Sequence, residues 1–124
     1  MDIKPLNKFR RLKEFSKLFP ITQSTIIAYD GIIYTNRLEL PEDIIVHEMC
    51  HLRQQKQFGL QNFTKQYINS KEFRLQMERE AYIEQLESIK DKGLRDAVRQ
   101  DSINGLMSGL YGKISLKEAK QLLK

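Results

Sequence analysis

The chain has a single cysteine, Cys50, among 124 residues. A disulfide framework within the chain is therefore excluded, and a reducing compartment is expected. No apolar run approaches the roughly 20 residues that a membrane span needs. The N-terminus, Met1-Asp2-Ile3-Lys4-Pro5, leads into no long apolar stretch of the kind a secretory signal carries. Internal repeats, low-complexity segments and linkers rich in Gly, Pro or Ser are all missing. With 40% hydrophobic and 30% charged residues, the composition is too apolar for a disordered tail and too polar for a membrane protein. The expectation is one soluble cytoplasmic domain spanning residues 1–124.

Basic residues outnumber acidic ones by 21 to 16. Residues 1–17 carry most of that excess, with Lys4, Lys8, Arg10, Arg11, Lys13 and Lys17 against Asp2 and Glu14. A basic end can touch nucleic acid or a membrane surface. No arginine and aromatic stacking pattern of a nucleic-acid module follows it. The segment reads as a solvated face, so neither partner is expected.

The pattern of elements is mostly helical with one small hairpin. Leu6, Phe9, Leu12, Phe15, Leu18 and Phe19 recur at steps of three to four, which predicts an amphipathic helix over 6–19 ended before Pro20. Asp30-Gly31 between Ile26-Ile27-Ala28-Tyr29 and Ile32-Ile33-Tyr34 predicts a β-hairpin. Pro41, with Glu42 and Asp43 behind it, opens a helix that runs to Phe58 and stops at Gly59. A short helix is expected over 62–68. A longer one is expected over 70–90, capped by Ser70 or Asn69, with Gly93 past its end. Residues 94–109 read as helical despite Gly105 and Gly109. Ser115 and Glu118 form a capping box for a last helix. Residues 103–124 are expected to complete the core rather than cap a site.

Residues 47–51 read His47-Glu48-Met49-Cys50-His51, and the chain has no other histidine. Residues four apart on a helix lie about 40° apart around its axis, so both imidazoles can reach one ion. Glu48, about 100° from His47, can take a proton from a water on that ion without being a ligand. Such a site suits zinc, which lowers the pKa of bound water to about 7. Catalytic zinc needs a third protein ligand and an open position. Cys50 points about 100° away from His51 and reads as a small buried residue instead.

The third ligand is sought on the long helix, which carries Glu72, Glu78, Glu80, Glu84 and Glu87. On a helical wheel, Glu78 falls within the apolar stripe of Leu75, Tyr82, Leu86 and Ile89, with Gln85 beside it. Glu80, Glu84 and Glu87 fall on the opposite, solvated side. A carboxylate in a buried stripe is costly unless it is paired or binds metal. Glu78 is therefore the candidate ligand, and an ion pair with a buried Arg or Lys is the competing explanation.

His47-Glu48-Met49-Cys50-His51 followed by Glu78-Arg79-Glu80-Ala81-Tyr82 resembles the gluzincin metallopeptidases, above all the minigluzincins and the small peptidase-like domains of phages and mobile elements. The resemblance spans about residues 40–86. It implies an α+β, mostly helical, zincin-like fold with a small antiparallel sheet beside the H-E-x-x-H helix. It further implies a Zn²⁺ cofactor held by His47, His51 and Glu78, with Glu48 as general base. Gln54 is also found in phage-type relatives. Two positions depart from the pattern. Tyr82 stands where many gluzincins have an aspartate that orients a histidine, and Arg53 stands where the extended motif has an apolar residue.

The expected activity is zinc-dependent hydrolysis of peptide bonds in a peptide or protein substrate, in a bacterial or phage-encoded protein. An oxyanion stabiliser is then required. Tyr82 and Tyr111 are candidates, as is Tyr67, and the sequence does not choose among them. The hairpin edge could hold an extended peptide by strand addition. The alternative is a catalytically weak or inactive zinc-binding domain acting as an accessory or interaction protein.

Overall fold

A computed structural model describes residues 2–124. Its architecture is mostly helical α+β, with a three-stranded mixed sheet beside the helix that carries both histidines. The strands are β1 (Asp2–Lys4), β2 (Ile26–Tyr29) and β3 (Ile32–Thr35). The helices are α1 (Leu12–Phe15), α2 (Glu42–Phe58), α3 (Leu60–Asn69), α4 (Lys71–Glu87), α5 (Lys92–Leu106) and α6 (Leu116–Leu122).

The hairpin forms where Asp30-Gly31 predicts it. Asp30 at φ 50° and Gly31 at φ 81° both lie in the left-handed region, as a tight turn matching strand twist requires. β2 pairs antiparallel with β3, Tyr29 opposite Ile32. The sheet is not purely antiparallel, however. β1 adds to the far side of β3 in parallel, with Ile3 opposite Ile33. Three residues with alternating polarity give no local signal for a strand; β3 supplies the pairing from about 30 residues away in sequence.

The predicted helix over 6–19 is not formed. After β1 the chain makes a 3₁₀ turn at Leu6–Lys8, and Phe9 is extended. Only Leu12–Phe15 is α-helical. The periodic residues are nevertheless inward: Leu6, Phe9 and Phe15 are buried, with Leu12, Leu18 and Phe19 packed against them. The extended backbone at Phe9 lets its ring meet Phe15, Tyr29 and Tyr34 at centroid distances of 5.2, 5.2 and 5.0 Å. Packing against the hairpin thus overrides helical periodicity here.

α2 begins after Pro41 and stops at Gly59, whose φ of 83° turns the chain directly into α3. α3 is longer than the expected 62–68. Ser70 caps α4 by accepting from the Phe73 N–H. α4 ends at Glu87, earlier than expected, and Gly93 lies inside α5 rather than after α4. Asp91 explains the difference, because its side chain caps α5 through the Leu94 N–H. Both halves of the Ser115–Glu118 capping box are present at α6. A second apolar cluster joins Leu86 of α4, Ile103 and Leu106 of α5, Tyr111, and Ala119 and Leu123 at the C-terminal end.

Gly105 in α5 packs against Tyr82 of α4. A β-carbon there would lie 2.8 Å from the Tyr82 hydroxyl. Gly105→Ala is expected to destabilise the protein by about 1–2 kcal/mol in urea unfolding, net of alanine's better helix propensity. In a Tyr82→Phe background, which removes the hydroxyl, the same change is expected to be neutral or stabilising.

Candidate metal centre

α2 packs along α4, and the site forms between them. His47 and His51 stand one turn apart on the inner face of α2, and Glu78 faces them from α4. All three are buried, His47 and His51 at 8% exposure and Glu78 at 6%. The carboxylate bridges both rings. Its Oε1 lies 3.0 Å from His47 Nε2, and its Oε2 lies 2.9 Å from His51 Nε2. The two Nε2 atoms are 3.2 Å apart. This group could hold a metal ion.

The partners of the other ring nitrogens decide what faces the centre. Gln85 Nε2 donates to Asp43 Oδ2 at 2.8 Å, which turns its carbonyl toward His47 Nδ1 at 2.9 Å. Gln54 Nε2 donates to the Met77 carbonyl at 3.0 Å, which turns its own carbonyl toward His51 Nδ1 at 2.9 Å. Both acceptors can only accept, so each amide has one orientation. Each Nδ1 must then carry the proton, and each neutral ring presents the bare lone pair of Nε2 inward. Two lone pairs and a carboxylate cannot hydrogen-bond one another. A cation resolves the conflict. Donor atoms about 2 Å from a tetrahedral ion lie about 3.3 Å apart, close to the separations found. Two imidazoles and a carboxylate suit zinc among divalent ions.

Without a metal, a proton fills that role. Burial alone would lower the His51 pKa, but the Glu78 carboxylate beside it more than offsets this and raises it to about 9. Burial would likewise raise Glu78, yet the two histidines hold its carboxyl well below the usual carboxylate range. Tyr67 of α3 donates to Glu78 Oε2 at 2.9 Å.

The competing ion pair for Glu78 is not found among the described residues. The buried Arg74, one turn earlier on α4, instead donates to the carbonyls of Leu110, Tyr67 and Ile68 at 3.1, 2.6 and 3.0 Å. Cys50 is buried, as expected, and lies outside the ligand group. Burial and then the adjacent Glu84 push its thiol up to about 12. Glu80 and Glu84 are half-buried rather than fully solvated. They face α2, where Gln54 Nε2 reaches Glu80 at 3.4 Å and Arg53 pairs with Glu84. Glu87 is exposed.

A cavity of about 260 Å³ opens onto the group, lined by His47, Glu48, His51 and Glu78 together with Tyr67, Tyr111 and residues of β2. Glu48 is buried at 8% exposure, and burial raises its pKa while the two histidines oppose the shift. Leu110 and Tyr111 also line the cavity, so residues 103–124 contribute to the site as well as to the core. Tyr82 does not line it. The Tyr82 ring packs edge-on against His47, with centroids 4.7 Å apart, and its hydroxyl faces Gly105.

Gln85 and Asp43 were not singled out by the sequence pattern as parts of the site. The wheel set Gln85 beside Glu78, which was the available signal. No protein-family model matches the chain, and neither the curated proteins nor the solved structures gave a match.

Loss of the Gln85 clamp in Gln85→Leu is expected to weaken zinc binding about 10–100-fold in a chelator competition. The pH dependence has a definite sign. His51 holds a proton up to about 9 in the metal-free protein, and the metal needs the neutral ring. Zinc uptake at pH 7.5 is expected to release about one proton from His51, and affinity to rise with pH until about 9, as read by calorimetry in buffers of different ionisation enthalpy.

Proposed function

We propose that the protein is a zinc-dependent peptidase. The observation that carries this reading is the shared cavity: Glu48 lines it together with both histidines and Glu78. His47, His51 and Glu78 would hold the zinc ion, which when bound would polarise a carbonyl and make water acidic enough to deprotonate near neutral pH. Glu48 then takes the proton from the attacking water and delivers it to the leaving amine. Burial, which raises the carboxyl pKa, suits a group that must accept and return a proton.

The remaining residues divide the other tasks. Tyr111 is the favoured oxyanion donor, because its ring lines the cavity, whereas the Tyr67 hydroxyl is committed to Glu78. Tyr82 packs on His47 and supports it. β2 is an edge strand, and Ile26, Ile27 and Ala28 line the same cavity. An extended peptide added to that edge would run past the metal group, with apolar side chains received by Phe15 and Phe19. The same β2 residues also pack on α2, so the edge serves the core and the substrate together.

The test is incubation of zinc-loaded protein with a mixture of unfolded proteins, with products read by mass spectrometry. Glu48→Gln is expected to keep its zinc and lose about 10²–10⁴ in hydrolysis rate. Equal product from Glu48→Gln and the parent protein would contradict the reading. Zinc without hydrolysis on any substrate would favour the accessory or interaction protein instead.

A further inference from the structure

The edge strand beside the metal group is not free along its whole length. Among the described residues no strand pairs with the outer side of β2. Backbone polar groups of alternate residues point to that side. The Ala28 carbonyl is one of them, and it accepts from Gln55 Nε2 at 2.8 Å. Two residues on, the Asp30 N–H donates to Gln55 Oε1 at 2.9 Å. A carbonyl and an N–H two residues apart are the two groups that one residue of a parallel neighbour strand engages. The Gln55 amide thus occupies the position of one strand residue. Its orientation is fixed, because neither backbone group can reverse its role.

Gln55 also separates two spaces. It is buried at 4% exposure and lines both the metal cavity and a second cavity of about 270 Å³ bounded by Asp30, Gly31, Leu52 and Leu60. It follows His51 by one helical turn on α2, so the helix that supplies the ligands also holds this wall. By alternation, Ile26 directs its polar groups outward as Ala28 does, and among the described residues no side chain hydrogen-bonds to them.

We propose that Gln55 is a specificity-determining stop, closing the hairpin end of the substrate groove so that an extended peptide pairs with β2 at Ile26 and reaches no further than Ala28. This rests on the peptidase reading. It defines the substrate class as peptides that extend only a short way on the hairpin side of the bond that is cut. At its other end β2 stops at Ile26, and the chain turns over residues 22–25, with no glutamine among the described residues set across the strand edge there.

Two series of peptide hydroxamates test it. One carries the hydroxamate at the C-terminal end of one to five residues, the other at the N-terminal end. The metal anchors both, so added length runs toward opposite ends of the groove. Binding to zinc-loaded protein is read by calorimetry, with acetohydroxamate as the anchor alone. One series is expected to keep gaining affinity where the other has stopped, the stopped series gaining nothing after about two residues. Gln55→Ala should restore the gain in the stopped series only, about tenfold for each added pair of main-chain hydrogen bonds. Gln55→Ser, small but polar, serves if the alanine variant does not fold. Steady gain in both series with the parent protein overturns the stop, as does a series that remains stopped in the variant. Failure of acetohydroxamate itself to bind overturns the zinc peptidase reading, and this inference with it.

Discussion

Three electron-pair donors facing one another in a buried space are the constraint on which the rest of the site depends. His47 Nε2, His51 Nε2 and the Glu78 carboxylate lie 2.9–3.2 Å apart, with no hydrogen among them once both rings are neutral. Burying such a group is unfavourable unless a cation sits within it. The neighbouring residues do not relieve that conflict; they maintain it. Gln85 and Gln54 fix the tautomers, and Tyr67 steadies the carboxylate. Arg74 ties the end of α3 and the loop before Tyr111 to α4. The helix that supplies Glu78 therefore also positions the two tyrosines of the cavity wall.

The clamps on the histidines are neutral amides. A carboxylate in that position raises the basicity of the ring it holds. Here a carboxylate stands one residue further back: Asp43 accepts from Gln85 behind His47, and behind His51 Gln54 donates to the neutral Met77 carbonyl and reaches Glu80 only at 3.4 Å. Two neutral rings and one carboxylate leave a divalent ion with about one uncompensated positive charge. An ion bound there would be held less tightly than by carboxylate-backed histidines and would be the stronger Lewis acid.

Much of this was legible locally. The Asp30-Gly31 turn, the Pro41 start and Gly59 end of the His47 helix, the Ser70 cap and the Ser115–Glu118 box each depend on a few adjacent residues, and each is found. The inward position of Glu78 followed from its place among Leu75, Tyr82 and Leu86 on one helix face. Features set by distant contacts were not legible. β1 exists because β3 pairs with it, and the helix expected over 6–19 gives way to packing of Phe9 against the hairpin. Glu80 and Glu84 looked solvated on the wheel of α4 alone, and they became half-buried when α2 packed alongside. Gln85 sat in the inward stripe, but a glutamine there carries no mark of being a histidine partner until Asp43 is brought within 2.8 Å.

The most direct measurement is the metal content of the purified protein by mass spectrometry, beside His47→Ala and Glu78→Ala. About one zinc per chain, lost in both variants, is the predicted result. No zinc in the parent protein after incubation with excess metal at neutral pH would contradict the metal centre.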